Sequence, residues 1–480
     1  MAEIKHDFLT WPWQRWAAER PSDVAISLGE QTKGAQTKGA QTYTWAEVST
    51  QVDEFAQGLV EQGVKRDQLV AVIADNTIDV VWLILAIIRV GARYVGLNPK
   101  LSFAEIQQQL AMLDNHYLWS DRDIATEQLT GQVITLRQPE VSRMVPVTWQ
   151  EHRPVTLTLT SGSTGAPKAV VHSPESHLAS ASGLLSKMTF NAEDSWLLSL
   201  PLFHISGLAI LWRWLYRGAC LVIVEKALQQ QALSWVTHAS LVPTQLQRLL
   251  DQVPTQQPIA LKQVLLGGAH IPVSLTDKAR SAGIDCWCGY GMTEMASTIS
   301  VKQADESQGV GNVLPNRELF LREGEILVRG KSLCLGYYRN HTIFSILDNH
   351  EHDGEWFATR DMGEWRDDEL FIHGRADNMF ISGGENVQPE DIEAVLLQLP
   401  DVEQAFVLPV DDYDFGQRPV AIVQTSCPFD AMFVDHVMTY MAETVAPYKR
   451  PVRYLALPDA DIYCGIKVSR TKLAEWLAKQ

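Results

Sequence analysis

Val155-Thr156-Leu157-Thr158-Leu159-Thr160-Ser161-Gly162-Ser163-Thr164-Gly165-Ala166-Pro167-Lys168 is the stretch that decides the fold. Its first part alternates valine or leucine with threonine, the period-two pattern of a strand. At Thr160 that pattern stops. Gly162 and Gly165 let the backbone turn sharply and present successive N–H groups, which form a concave anion site. The hydroxyls of Thr160, Ser161, Ser163 and Thr164 and the Lys168 ammonium add donors that suit a polyphosphate. A plain Ser/Gly linker would need neither the Pro-Lys ending nor a strand directly before it. The loop is not a Walker A loop, because the GxxxxGK[ST] spacing is absent. A look-alike at 324–332 has five residues between its glycines and reads as a strand followed by a turn.

On both sides of this stretch, apolar strand-like runs alternate with helical patterns. Residues 69–73, 196–200, 221–224 and 264–266 read as strands, the last ending in Gly267-Gly268, and 80–90 reads as a buried helix. That alternation predicts an α/β architecture with largely parallel sheets. Near Gly374 the character changes. Beyond it lie strand signals at 405–410 and 420–424. A helix there opens at Pro389, Glu390 and Asp391, runs through Ile392, Val395 and Leu396, and is stopped by Pro400. A domain boundary is therefore expected at 374–378. Residues 31–42 read QTKGAQTKGAQT, a five-residue unit given twice and begun again. They predict a surface hairpin or loop insertion, to which no function is assigned.

Composition sets outer limits. The chain has 480 residues and a mass of 53.7 kDa, which at roughly 150 residues per domain predicts two to three domains. A hydrophobic share of 46% with 20% charged residues is globular rather than disordered. The net charge of −17 repels polyanions, so nucleic acid is not an expected partner, whereas small anions such as nucleotides can be held by local geometry. Of the six cysteines only Cys286 and Cys288 lie close together, and they read as buried thiols rather than a zinc site. Reduced cysteines point to the cytoplasm. The apolar run at 80–88 ends at Arg89 and is far short of the about 20 residues that span a bilayer. No segment reads as a signal peptide. The sequence selects neither a monomer nor a homo-oligomer.

Further groups along the chain add donors and acceptors of the same kind. In Gly289-Tyr290-Gly291-Met292-Thr293-Glu294, Tyr290 offers a ring face to a base, Thr293 a hydroxyl to a phosphate and Glu294 a hard oxygen to Mg²⁺. Asp361, which closes Trp356-Phe357-Ala358-Thr359-Arg360-Asp361, carries a carboxylate that can accept from two neighbouring hydroxyls at once. These groups, in chain order with the Thr160–Lys168 loop, resemble the motifs of the adenylate-forming superfamily: acyl-CoA synthetases, carrier-protein-loading adenylation domains and luciferases. The resemblance covers almost the whole chain. It implies a large N-terminal α/β domain of mixed and parallel sheets (1–374), a hinge (375–378) and a small mobile α+β C-terminal domain (379–480). It also implies ATP, Mg²⁺ and coenzyme A as co-substrates.

Residue by residue, the resemblance implies the following. His204 of Leu200-Pro201-Leu202-Phe203-His204 lies beside the acyl substrate. Gly268 and Ala269 flank the adenine, Tyr290 and Gly291 close over AMP, and Thr293 and Glu294 meet the α-phosphate and Mg²⁺. Asp361 holds the ribose, Arg375 reaches ribose or phosphate, and Asp377 is the pivot of the hinge. Gly383 and Gly384 of Ser382-Gly383-Gly384-Glu385-Asn386 line the path of the pantetheine arm. Lys467 of Gly465-Ile466-Lys467-Val468-Ser469-Arg470 is the lysine of the adenylation step. Most of the superfamily has Gly and Lys adjacent at this last motif. Here Ile466 intervenes.

The chemistry implied has two halves: a carboxylate attacks the ATP α-phosphate to give an acyl-adenylate and pyrophosphate, then a thiol displaces AMP. Stretches around Trp11-Pro12-Trp13, 195–200, 212–216 and 237–246 resemble the branch that ligates 2-succinylbenzoate, an aromatic keto-diacid, to coenzyme A in menaquinone biosynthesis. In that reading Arg213, Ser240, Thr244 and Ser297 are candidates to hold the benzoate carboxylate. Arg213 reads equally as a surface cation on a Trp-flanked helix. The alternative substrate is another aromatic or medium-chain acid. An amino-acid-activating enzyme would need an acid in the pocket for the ammonium group, and 204–216 offers Arg213 instead.

Overall fold

The computed structural model describes residues 8–29, 31–33, 36–38, 41–122, 126–140, 147–160, 167–252, 259–267, 271–347, 356–458, 462–464 and 467–480. Two large sheets organise the first three quarters of the chain. One has nine strands. Its centre is parallel: Asp285–Met292, Gln263–Leu266, His238–Leu241, Ser195–Leu197, Cys220–Val222 and Val24–Ser27. Antiparallel strands close both edges. The other has eight strands. Leu69–Ile73 and Arg93–Leu97 run parallel in its middle, and Thr156–Thr160 continues parallel beside Arg93–Leu97. Lys168–His172 then turns back antiparallel on Thr156–Thr160. The sheets are therefore mixed rather than largely parallel.

Between them lie the helices Ile78–Val90 and Ile205–Arg217, in one apolar cluster that draws residues from both sheets. Residues 80–90 of the first helix are all buried, as expected of a helix apolar on every face. Thr77 caps its start by accepting from Val80 N, and Gly91 ends it with φ 92°, a conformation that favours glycine. Arg89, which interrupts the apolar run, is buried and ion-paired with Asp53 at 2.7 Å. Trp45 and Trp214 stack at 5.0 Å in the same core. Among the described residues no helix is long and apolar enough to cross a membrane.

An antiparallel sheet of Arg317–Arg322, Glu325–Gly330, Phe357–Arg366 and Glu369–Arg375 follows. The look-alike phosphate motif is the strand Glu325–Gly330 with a turn after it. The last sheet holds Glu385–Val387, Phe380–Ser382, Gly416–Thr425 and Val402–Asp412, with Arg453–Ala456 parallel to Gly416–Thr425. The helices Pro389–Leu396 and Ala431–Thr444 share one apolar cluster with these strands, and the helix Arg470–Leu477 joins another.

Two further sequence expectations are adjusted. The strand read at 196–200 is Ser195–Leu197, because Ser199 N donates to Leu197 O in a tight turn before Pro201. The helix from Pro389 ends at Leu396, short of Pro400. The repeat forms a two-stranded hairpin, Gln31–Lys33 on Gln36–Lys38, as its sequence allows.

Candidate functional site

The antiparallel pairing that follows the Thr156–Thr160 strand explains the first part of the site. Thr160 lies directly opposite Lys168, so the ladder clamps the two ends of the loop together. Ser161, Gly162, Ser163, Thr164 and Gly165 themselves lie outside the described residues. Gly336–Arg339 pairs on the other side of Lys168–His172. It brings Tyr337 under Lys168, whose Nζ sits 5.1 Å from the ring centroid. Tyr337 Oη donates to Glu294 Oε1 at 2.8 Å. Burial first and Glu294 second push this phenol well above its ordinary pKa, so it stays a donor at neutral pH. Sequence reading missed Tyr337. It stands in an ordinary strand, and only the sheet pairing brings it to the loop.

Thr293 and Glu294 begin a short 3-10 turn, Thr293–Met295, at the end of the strand Asp285–Met292. Both are half-buried. Glu294 forms no ion pair among the described residues, which leaves its carboxylate suited to a hard cation. One carboxylate plus substrate phosphates and waters is an ordinary Mg²⁺ environment, so the residues fit that ion.

Tyr290 lies on the same strand, and Tyr290 Oη donates to Asp361 Oδ2 at 2.5 Å. Asp361 Oδ1 accepts from Arg375 Nη1 at 3.3 Å, and Arg375 also donates to both Asp377 oxygens at 2.8 and 3.1 Å. Burial raises the Asp361 pKa, opposed by Tyr290 and Arg375. The Arg375 contact lowers that of Asp377. The candidate base, ribose and hinge residues thus form one hydrogen-bonded chain. Gly268 and Ala269 lie outside the described residues.

Gly383 and Gly384 form the turn between Phe380–Ser382 and Glu385–Val387, with φ 61° and 85°. Successive positive φ angles are what a type I′ two-residue hairpin turn requires. A Cβ on Gly383 would meet the Phe415 ring at 2.8 Å. Lys467 opens the short strand Lys467–Val468, opposite Cys464. Gly465, Ile466 and the Lys467 side chain lie outside the described residues.

His204 stands at the N-terminal boundary of the helix Ile205–Arg217, on which Arg213 lies about two and a half turns further along. Arg213 is not a surface cation: it is 2% exposed. Its Nη1 donates to Ser240 Oγ at 3.2 Å and its Nη2 to Ser297 Oγ at 3.4 Å, and its guanidinium lies 5.3 Å from the Trp196 ring. Among the described residues no carboxylate pairs with it. Burial and the nearby Arg317 bring its pKa down to about 9. A buried cation held only by hydroxyls and a ring is costly unless an anion joins it. Thr244, half-buried on the helix Pro243–Gln252, is outside this hydrogen-bonded group.

Beneath both halves lie two fully buried histidines. The His172 ring faces the backbone of Thr293 and Glu294, and neither ring nitrogen has a well-formed hydrogen bond. His177 Nε2 pairs with Thr156 Oγ1 at 2.7 Å, and its ring stacks on Trp212 at 4.8 Å. Burial holds His172 down to about 4 and His177 well below 6.5. The folded state keeps these rings neutral, while the unfolded chain takes up protons below about pH 6.5. Stability is therefore present above that pH and lost as pH falls toward 4. Chemical denaturation is expected to show a loss of about 2 kcal/mol from His172 between pH 7 and 5, with a further loss in the same direction from His177, and His172→Gln should remove the His172 share. An unchanged pH slope in that variant would contradict the assignment.

The profile described as "AMP-binding enzyme" matches residues 13–338, and that described as "AMP-binding enzyme C-terminal domain" matches residues 391–461. The 2-succinylbenzoate–CoA ligase of Escherichia coli (strain K12) is 42% identical over 474 residues, 98% of this chain and 99% of that protein. An arginine-to-lysine variant of E. coli MenE with bound OSB-AMS superposes with a TM-score of 0.87 at 41% identity, covering 98% of this chain and 99% of that one. MenE of Bacillus subtilis, in complex with ATP and magnesium ion, superposes with a TM-score of 0.83 at 27% identity, covering 97% and 99%.

Proposed function

The chain belongs to the AMP-binding enzyme family, and we propose from that membership, and from the site, that it is an ATP-dependent acid–thiol ligase. It joins 2-succinylbenzoate to coenzyme A through an acyl-adenylate, for menaquinone biosynthesis. The observation that carries the substrate is Arg213: a buried guanidinium, flanked by Ser240 and Ser297 and lacking a carboxylate among the described residues, in a chain 42% identical to a 2-succinylbenzoate–CoA ligase.

The chemistry follows from the substrates. A carboxylate is a poor electrophile because oxide does not leave. In the first half its oxygen bonds to the α-phosphorus of ATP, the bond from that phosphorus to the bridging oxygen breaks, and pyrophosphate departs. In the second half the thiol sulfur bonds to the acyl carbon, the bond to the AMP oxygen breaks, and the thiol proton passes to solvent. Two anions must meet in the first half, so donors that screen charge lower the barrier most. We assign this to the 160–168 loop, to Thr293 and to Lys467. Glu294, backed by Tyr337, would hold Mg²⁺, which when bound neutralises triphosphate charge. Asp361 would take the ribose hydroxyls, Tyr290 the base, and His204 the acyl end. Arg213, Ser240 and Ser297 would take the ring carboxylate.

We place a domain boundary at 375–378, with Asp377 as pivot and the Gly383-Gly384 turn on the pantetheine path. This is supported by the separate apolar clusters of the last sheet. We also place the enzyme in the cytoplasm, supported by the free thiols of Cys220, Cys286, Cys288, Cys334 and Cys427. The test is pyrophosphate release with ATP, Mg²⁺ and a panel of 2-succinylbenzoate, benzoate, 4-coumarate, octanoate and amino acids, with and without coenzyme A. Release with 2-succinylbenzoate and a thioester only when coenzyme A is present are expected. Preferential release with another acid would overturn the substrate.

A further inference from the structure

A second buried arginine lies near Arg213 and takes no part in the reaction as derived. Arg317 opens the strand Arg317–Arg322 and is 6% exposed. Among the described residues it meets no carboxylate. Its guanidinium instead forks across backbone carbonyls. Nε donates to Pro315 O at 3.2 Å, and Nη2 donates to Ala179 O at 3.1 Å and to Ser180 O at 3.4 Å. Nη1 donates to Thr298 O. Gly183 makes room for it: a Cβ there would meet Nη2 at 2.4 Å. A guanidinium has five N–H donors in a fixed planar fork, which an ammonium cannot reproduce.

Besides Pro315 in its own turn, the carbonyls it gathers belong to two elements. Ala179 and Ser180 lie on the helix Pro174–Leu185, and Thr298 lies directly after a turn in an unusual conformation. In that turn Ala296 has φ 51° and Ser297 has φ 107°, both positive and neither glycine. Such a turn persists only when its surroundings over-determine it. Two ties do so: Ser180 Oγ donates to Ala296 O at 2.7 Å, and Arg317 Nη1 holds Thr298 O. The product of this local strain is the position of Ser297 Oγ, 3.4 Å from Arg213 Nη2.

We propose that Arg317 is a positioning residue for substrate choice: it clamps the strained Ala296–Ser297 turn to the helix Pro174–Leu185, and so fixes Ser297 and Arg213 in the arrangement that reads the second carboxylate of a diacid. This deepens the 2-succinylbenzoate reading and rests on it. Arg317 touches no reacting atom, and its effect is on which acid is accepted.

The test compares two acids that share the activated carboxylate and differ at the ring: 2-succinylbenzoate and 4-oxo-4-phenylbutanoate, which lacks the ring carboxylate. The readout is the ratio of their kcat/KM values. Arg317→Lys keeps the charge and loses the fork. It should lower the ratio about tenfold, the effect of weakening one hydrogen bond to a charged group, mainly through the KM for 2-succinylbenzoate. Ser297→Ala should lower the ratio similarly, and Arg317→Lys combined with Ser297→Ala should lower it no further, because both act through one contact. A merely structural role would depress both acids alike and leave the ratio in place. That outcome, or an additive double variant, would overturn the proposal. A wild-type enzyme with no preference for the diacid would instead overturn the substrate reading beneath it.

Discussion

Arg213→Met is expected to raise the KM for 2-succinylbenzoate at least about a hundredfold, the scale of removing one member of a buried charge pair, while making the ligand-free protein more stable. The two effects have one cause. In the ligand-free protein the guanidinium is charged, buried and without a carboxylate among the described residues, and its pKa is brought down to about 9. A depressed folded-state pKa means that folding costs more with this group charged, and that cost stands at every pH below about 9. A neutral side chain of similar volume relieves it, by about 1–3 kcal/mol on the record of buried charges replaced by apolar groups. Thermal unfolding with and without 2-succinylbenzoate reads both. The wild type should gain stability from the acid. The variant should start higher and gain nothing. A variant that is less stable without ligand and still stabilised by the acid would show that Arg213 serves the fold rather than the substrate.

Lys467→Ala is expected to reduce acyl-adenylate formation by about a thousandfold, the scale of losing a key charge-stabilising donor. The reaction of supplied acyl-adenylate with coenzyme A should stay within a few-fold of wild type. The asymmetry follows from charge. Only the first half brings two anions together, whereas in the second the electrophile is already activated and the nucleophile is a thiol. Ile466, inserted where most of the superfamily has Gly and Lys adjacent, makes this the informative residue to change. If both halves fail together in the variant, Lys467 is not the adenylation lysine.

Much of the fold was legible because it is local. The Val/Thr/Leu alternation before Thr160, the apolar helix interrupted only by Arg89 near its end and the Pro389 helix start are written in neighbouring residues, and each appears as an element. The antiparallel return of Lys168–His172 was not legible, since its apolar run suits either direction. The site divides the same way. Residues grouped in short motifs, such as Tyr290, Thr293 and Glu294, could be picked out by chemical type. Tyr337 could not, because it reaches Glu294 only by pairing across Lys168–His172. Arg317 and His172 carried no signal either, being single polar residues whose surroundings are assembled from distant segments. Arg213 was visible, yet its burial was not: a Trp-flanked helix suits a surface as well as a core.

In the proposed reaction the acid is activated by bonding its own oxygen to the α-phosphorus of ATP. Labelling the succinyl carboxylate of 2-succinylbenzoate with ¹⁸O tests it directly. After complete turnover with ATP and coenzyme A, mass spectrometry should find one labelled oxygen in AMP and none in pyrophosphate. Label in inorganic phosphate with ADP as co-product, or AMP free of label, would contradict the acyl-adenylate route.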